Sequence, residues 1–195
     1  MRIVGGKWRG LTLAPVGAGD PASHLRPTSD RVREAIFNLL INGGYDDPVT
    51  DARVLDLFAG SGALGLEAMS RGAASAVLVD DGAAAGELIA RNIALCRTAD
   101  ARHLRRNATK LGPNPGPAHT LIFLDPPYGK GLGEAALATA GTWLAAGALV
   151  VWEESTPPLP PPGFTQLDQR RYGDTLVTIL KAPRLKVATC PALAP

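Results

Sequence analysis

Asp125, Pro126, Pro127 and Tyr128 follow directly on the apolar run Thr120-Leu121-Ile122-Phe123-Leu124. A carboxylate, a stiff backbone carbonyl and an aromatic face therefore meet at the end of what reads as a buried strand. That set suits a flat base bearing an exocyclic amine. Asp125 can accept an N–H from the amine, the carbonyl between two prolines is confined to a narrow range of directions, and the Tyr128 ring can stack on a heterocycle. A plain strand end with an Asp-Pro turn fits the same four residues.

A second group lies earlier in the chain. Asp56-Leu57-Phe58-Ala59-Gly60-Ser61-Gly62 sits where a short apolar strand gives way to a helix, the place at which open α/β sheets bind nucleotides. Gly60, Gly62 and Gly65 also satisfy the dinucleotide fingerprint, with Asp80 near the expected spacing of ~20 residues to take ribose hydroxyls. A nicotinamide or flavin enzyme is the competing reading. Asp56 would stand badly beside a pyrophosphate but well beside a cationic amino or sulfonium group, and a dinucleotide enzyme has no evident need for Asp125 to Tyr128. Adenosine, ribose and a cationic amino acid together describe S-adenosylmethionine. On this reading Asp56 and the Phe58, Ala59, Gly60, Ser61 and Gly62 backbone meet its methionine end, and Asp80 its ribose. Asn107, with Ala108 beside it, meets the adenine edge unless Asn107 is an ordinary turn residue. Strand phase favours Asp80 over Asp81 for the ribose.

These positions need a scaffold that brings several strand ends to one crevice. Strands are expected at 53–57, 74–79, 101–105, 120–124 and 148–152, alternating with helices from Gly62 to about Ser70, over 83–96 and over about 133–145. Strand and helix alternating imply a doubly wound α/β sheet, Rossmann-like and mostly parallel. After the Pro157 to Pro162 stretch, residues 164–172 and 175–180 joined at Gly173-Asp174 predict an antiparallel C-terminal hairpin. Before the sheet, Gly- and Pro-punctuated residues up to about 27 predict strands or loops. Thr28-Ser29-Asp30 predicts the cap of a helix with Val32, Ala35, Ile36, Leu39 and Leu40 on its apolar face, ended by Gly43-Gly44. The expected organisation is a basic N-terminal extension and helix over 1–44, a sheet domain over 45–183 and a tail over 184–195.

The chain has 195 residues, 46% hydrophobic and 19% charged, ordinary for one globular domain. No apolar run approaches the ~18 residues of a membrane helix, and residues 1–6 lack a signal-peptide core, so a cytoplasmic protein is expected. Cys96 and Cys190, like His24, His103 and His119, are scattered, which points to neither a disulfide framework nor a metal site. The net charge of +2 is unevenly placed: residues 1–33 hold six cations against two carboxylates, a net +4, and the remainder is slightly acidic. Arg2, Lys7, Arg9, Arg26, Arg31 and Arg33 are the candidate phosphate contacts. Each is also consistent with a solvated surface charge.

Four blocks carry a family resemblance: Arg2 to Gly10 (RIVGGKWRG), Leu25 to Glu34 (LRPTSDRVRE), Asp56 to Ala68 (DLFAGSGALGLEA) and Asp125 to Tyr128 (DPPY). The chain resembles the RsmD family, bacterial methyltransferases that modify the exocyclic N2 of a guanosine in small-subunit (16S) ribosomal RNA. The resemblance implies that Asp125 to Tyr128 is the catalytic motif and that the glycine loop binds S-adenosylmethionine, released as S-adenosylhomocysteine. It implies ribosomal RNA or an assembling small subunit as partner. Thr28 and Arg31 can close over the cofactor's carboxylate. Nothing in the sequence calls for more than a monomer, for a metal or for a membrane. Adenine-N6 or another amino methyltransferase, and a non-catalytic RNA-binding assembly factor, are the other readings of the same blocks.

Overall fold

The computed structural model describes residues 1–15 and 29–184. Arg26, Thr28, His24, Cys190 and the tail beyond residue 184 fall outside them. Seven strands form one sheet: β1 (Arg53–Leu57), β2 (Ser75–Asp80), β3 (Ala101–Arg105), β4 (His119–Leu124), β5 (Leu144–Glu154), β6 (Thr165–Tyr172) and β7 (Thr175–Lys181). Their order is β3-β2-β1-β4-β5-β7-β6. β1 to β5 are mutually parallel, while β7 runs antiparallel to β5 and pairs with β6 as a hairpin. The helices are α1 (Asp30–Asn42), α2 (Ala63–Ser70), α3 (Ala83–Cys96) and α4 (Leu132–Thr139).

Strands buried on both faces read as continuous apolar runs, and β1 and β4 do so. Val54, Leu55, Leu57, Leu121, Ile122, Phe123 and Leu124 are all fully buried. Two clusters result, one on each face of the sheet. Val54, Leu78, Phe123 and Val151 pack with residues of α1 and α2, whereas Leu55, Leu57, Ile122 and Trp152 pack with Ala136 and Leu137 of α4. Both helices and strands alternate across a reversal of strand order between β1 and β4, the switch point of a doubly wound sheet.

The helix expected over 133–145 ends at Thr139, and β5 already begins at Leu144. Trp143 explains the early stop. Its indole is fully buried and donates from Nε1 to the Gly112 carbonyl at 2.8 Å, a position reached through a short 3-10 turn over Gly141–Trp143 and not by continuing α4. Ser29 caps α1 by accepting from Val32 N at 3.2 Å, and α1 buries Ile36, Phe37, Leu39 and Leu40.

Residues 1–14 fold back on themselves through a 3-10 turn at Gly6–Trp8 and a single antiparallel bridge, Arg2 with Thr12. This hairpin is not an appended arm: Ile3 and Leu13 belong to the same buried cluster as Ile36, Leu66 and Phe123. Glu67 of α2 fixes it in place. Its carboxylate is fully buried and accepts from Val4 N and Gly5 N, each at 2.8 Å, and from Arg71 Nε at 2.8 Å. Among the described residues no helix is long and apolar enough to cross a membrane, and no cluster of His, Cys, Asp and Glu has metal-ligand spacing.

Candidate active site

Register decides which side chains share the crevice. Leu57 of β1 is paired with Val79 of β2 on one side and Leu124 of β4 on the other. The next row therefore holds Asp80, the last residue of β2, with Phe58 and Asp125 just past the ends of β1 and β4. Ala59 N donates to the Val79 carbonyl at 2.9 Å and Asp125 N to the Leu57 carbonyl at 3.4 Å, extending the ladder past the strands. Phe58 adopts φ 61°, a left-handed conformation uncommon for a bulky residue. The chain thereby turns sharply out of β1 into the loop Ala59 to Gly62.

The loop is shaped for close approach. Gly60 and Gly62 take φ of 55° and 76°, and Gly62 caps α2. Gly65 is needed for another reason: a Cβ there would run into Leu78 Cδ2 and come within 3.1 Å of Asp56 Oδ2. Its absence lets α2 lie against β2 and lets Gly65 N donate to Asp56 Oδ2 at 2.9 Å. Asn92 of α3 supports the loop from behind, donating from Nδ2 to the Ser61 carbonyl at 2.8 Å while its Oδ1 accepts from Ala14 N.

Asp56 departs from the expectation that it meets a ligand directly. Only 1% of it is exposed, and it accepts from Gly65 N in the first turn of α2, so it supports the start of that helix from beneath. Burial pushes its carboxyl up to about 7, with the charges of Asp125 and Asp80 acting in the same direction and the Gly65 N–H opposing. A folded-state value above the unfolded one means that the folded protein holds this proton more tightly. The stabilisation is complete below about pH 4 and is lost as pH rises toward 7. Asp56→Asn keeps an acceptor for Gly65 N but cannot ionise. Urea midpoints measured between pH 4.5 and 7.5 are expected to fall more steeply for the wild type than for the variant; equal slopes would remove Asp56 as the cause.

Asp80 lies at the exit of β2 as strand phase predicts. Oδ2 accepts from Gly60 N and Oδ1 from Gly82 N, both at 2.9 Å, so this carboxylate ties the loop to the start of α3. A carboxylate has about four acceptor sites, leaving capacity for two hydroxyl donors. Asn107 also has a local role. Its Oδ1 caps the 3-10 turn Ala108–Lys110 by accepting from Thr109 N at 2.9 Å and Thr109 Oγ1 at 2.6 Å, and its Nδ2 donates to Asp81 Oδ2 at 2.9 Å. The cap uses the amide oxygen and the Asp81 bond one of the two Nδ2 N–H groups, so one donor of this exposed side chain remains. Ala108 beside it is 4% exposed and lies in the cluster that includes Val79.

Asp125 is partly exposed, Pro126 buried, and Pro127 and Tyr128 partly exposed. The Tyr128 hydroxyl is 3.3 Å from Thr175 Oγ1 at the start of β7, which orients the ring. Burial pushes its phenol up to about 12, reinforced by nearby carboxylates, so it is a neutral phenol throughout the physiological range. Sequence reasoning passed over Glu154, although two carboxylates closing an apolar strand were a visible signal. Its Oε1 accepts from Gly129 N at 3.1 Å, Ser155 N at 2.8 Å and Ser155 Oγ at 3.1 Å, clamping the residue that follows Tyr128 to the end of β5. Asn92, and Glu67 as the anchor of the N-terminal hairpin, left no comparable sequence signal, since the backbone groups they hold lie 31 to 78 residues away.

The basic residues are dispersed. Arg33 is corrected outright: it is fully buried, its guanidinium bonded to the Arg2 carbonyl and Asp30 and 3.6 Å from Glu67, and it cannot reach a phosphate. Arg2 is exposed but 3.6 Å from Asp30. Lys7 and Arg9 sit at the hairpin tip, where Trp8 N donates to Ser70 Oγ at the far end of α2. Eight residues of helix separate that end from the glycine loop, ~12 Å at 1.5 Å per residue. Arg31 is exposed on the first turn of α1.

Comparisons with known proteins agree with this geometry. The profile of a family described as "Conserved hypothetical protein 95" matches residues 1–181. The chain is 42% identical over 156 residues to "Ribosomal RNA small subunit methyltransferase D" of Escherichia coli K12, covering 78% of this chain and 74% of the relative. It is 30% identical over 181 residues to the protein of that name from Haemophilus influenzae, with 89% of each covered. Among solved structures, a "Putative methyltransferase yhhF from Escherichia coli" superposes with TM-score 0.79 at 35% identity, covering 94% of this chain and 98% of that one. A crystallised putative methylase from Haemophilus influenzae gives TM-score 0.73 at 27% identity, with 93% and 98% covered. With the profile match running from the N-terminal hairpin through β7 and relatives of that name at 42% and 30% identity, this chain belongs to the ribosomal RNA small subunit methyltransferase D family.

Proposed function

We propose that this protein transfers a methyl group from S-adenosylmethionine to the exocyclic N2 of a guanosine in small-subunit ribosomal RNA. The observation that carries the reading is the row of strand ends in which Asp125 stands two positions from Asp80, with the glycine loop between them. One end of the crevice offers acceptors for an amine, the other an acceptor for ribose. The relatives named as ribosomal RNA methyltransferases supply the substrate class.

The residues fit that donor. The glycines let the loop backbone approach a ligand closely, Asp80 retains acceptor capacity for two hydroxyls, and Asn107, beside the buried Ala108, keeps one amide N–H for an adenine edge. Asp56 holds the start of α2 from below, and the exposed Arg31 supplies a cation for the cofactor's carboxylate. When bound, the cofactor supplies a methyl group on a positively charged sulfur.

Guanine N2 is a weak nucleophile because its lone pair is delocalised into the ring. The Asp125 carboxylate and the Pro126 carbonyl accept its two N–H groups, rotate the amine out of conjugation and free the lone pair. Asp125 also offsets the positive charge that develops on nitrogen. Tyr128, fixed through Thr175, stacks on the base, a contact worth ~1–3 kcal/mol in single-strand binders. The target base must be unstacked to reach this site, which favours a loop nucleotide in RNA. The reaction takes place in the cytoplasm, on free RNA or on an assembling subunit, with a monomeric enzyme.

Purified protein incubated with labelled S-adenosylmethionine and unmodified small-subunit RNA or subunits is expected to yield N2-methylguanosine on nucleoside analysis. N6-methyladenosine as the product would overturn the choice of base, and tight NADH binding without S-adenosylmethionine binding would overturn the choice of cofactor.

A further inference from the structure

The N-terminal cations do not surround the crevice. Arg33 is buried, Arg2 faces Asp30, and Lys7 and Arg9 lie about a helix length away from the glycine loop, ~12 Å. A nucleotide held with its base against Asp125 still presents a phosphate on each side of its ribose, and those charges fall at the rim beside Tyr128. Two exposed cations occupy that rim. Lys130 is the second residue after Tyr128, on the loop that Glu154 clamps through Gly129 N at 3.1 Å. Arg171 lies on β6 opposite Leu176, next to the pair Tyr172 and Thr175, and Thr175 is the residue that holds the Tyr128 hydroxyl.

The reach of Arg171 matters most. Both of its terminal nitrogens lie 3.4 Å from the Ser155 carbonyl, just past the end of β5. β5 is the neighbour of β4, ~4.8 Å away in the sheet. Its guanidinium thus leans back from the hairpin toward the strand end next to Asp125. Arg170, one residue earlier, is neutralised by Asp168 at 2.9 Å, whereas among the described residues neither Lys130 nor Arg171 is ion-paired. A guanidinium with two N–H groups presented together matches a phosphate's oxygens, and Lys supplies a mobile point charge.

We infer that Lys130 and Arg171 form a second phosphate-binding rim, on the hairpin side of the crevice, that grips the RNA backbone flanking the target nucleotide. This rests on the RNA methyltransferase reading above. The N-terminal hairpin then contacts RNA farther from the target, and Ser155 serves as the resting partner that the phosphate replaces on Arg171.

The test uses the full chain and an unmodified small-subunit RNA transcript. K130A, R171A and the double variant are compared with wild type for RNA affinity by filter binding across a salt series, for KM and kcat toward that RNA, and for S-adenosylmethionine affinity by calorimetry. Losing two single-strand phosphate contacts is expected to flatten the log–log salt slope by about 1.4 and to weaken RNA binding on the order of tenfold. KM should rise with kcat held, and cofactor affinity should be unchanged. A salt slope and KM in the double variant equal to wild type would overturn the rim. If wild-type protein neither binds nor methylates the transcript or intact subunits, the broader reading fails instead, so the two failures are told apart.

Discussion

Asp125→Ala is expected to lower methyl transfer by at least about a hundredfold while leaving S-adenosylmethionine affinity within about twofold. Removing a single preorganised polar group that acts on developing charge typically lowers kcat by ~10²–10³. Asp125 lies across the glycine loop from Asp80, at the end of β4, so the ribose end of the crevice does not depend on it. Asp125→Asn separates two contributions, because it keeps one acceptor oxygen but carries no charge. An activity between wild type and the alanine variant is expected, and the gap between Asn and Asp measures the electrostatic part. A second readout comes from Asp56, whose carboxyl is raised partly by the Asp125 charge. Either variant should move the pH window of stability loss downward. Single-turnover transfer near the wild-type rate in Asp125→Ala would sink the proposed role.

Glu67→Ala should have the largest effect on stability. This carboxylate is fully buried, and four groups converge on it: Val4 N, Gly5 N, Arg71 Nε and, at 3.6 Å, Arg33 Nε. Truncation leaves one fully buried and one mostly buried guanidinium without their shared counter-charge. Breaking a buried pair from one side typically costs ~3–5 kcal/mol, against a total stability of ~5–15 kcal/mol for a domain. The loss should show as a lower urea midpoint and as faster amide exchange over residues 1–13, because the hairpin loses the acceptors that tie it to α2. Glu67→Gln retains an acceptor oxygen and should lose less. A change below ~1 kcal/mol in Glu67→Ala would mean that the apolar contacts of Ile3 and Leu13 alone hold the hairpin.

Much of the scaffold can be read from the chain without its structure. β1 and β3 and helix α3 span the residues that periodicity assigns them, and the C-terminal hairpin turns at Gly173-Asp174. These elements are set by contacts among near neighbours: alternation, capping and turn chemistry act over a few residues. The departures occur where a distant contact wins. α4 stops short because the Trp143 indole bonds to Gly112, 31 residues away in sequence. The N-terminal stretch forms a hairpin in the main core because Glu67 and Ser70, more than 60 residues later, take its backbone donors.

The candidate site divides along the same line. Asp80, Asp125 and the glycines are legible because a residue that ends a parallel strand has its place in the crevice decided by strand order alone. Side chains whose roles depend on what they meet are not. Asp56 looks like a ligand contact and is a buried support; Asn107 also caps the turn Ala108–Lys110, a role its sequence position did not show. Arg33 counts as one more cation in a basic segment, yet lies among Asp30, Glu67 and the Arg2 carbonyl.

By itself, then, the order of residues determined a doubly wound sheet, a glycine loop at its switch point and an acceptor-bearing motif at the end of a neighbouring strand, since each follows from local pattern and from the handedness of parallel crossovers. Tertiary structure alone decided which charges remain available. A cation's fate depends on the carboxylate or carbonyl that folding brings beside it, and for Arg33 the Arg2 carbonyl lies 31 residues away. Folding withdraws Arg33 into the core, carries Lys7 and Arg9 to the far end of α2, and leaves Lys130 and Arg171 beside Tyr128.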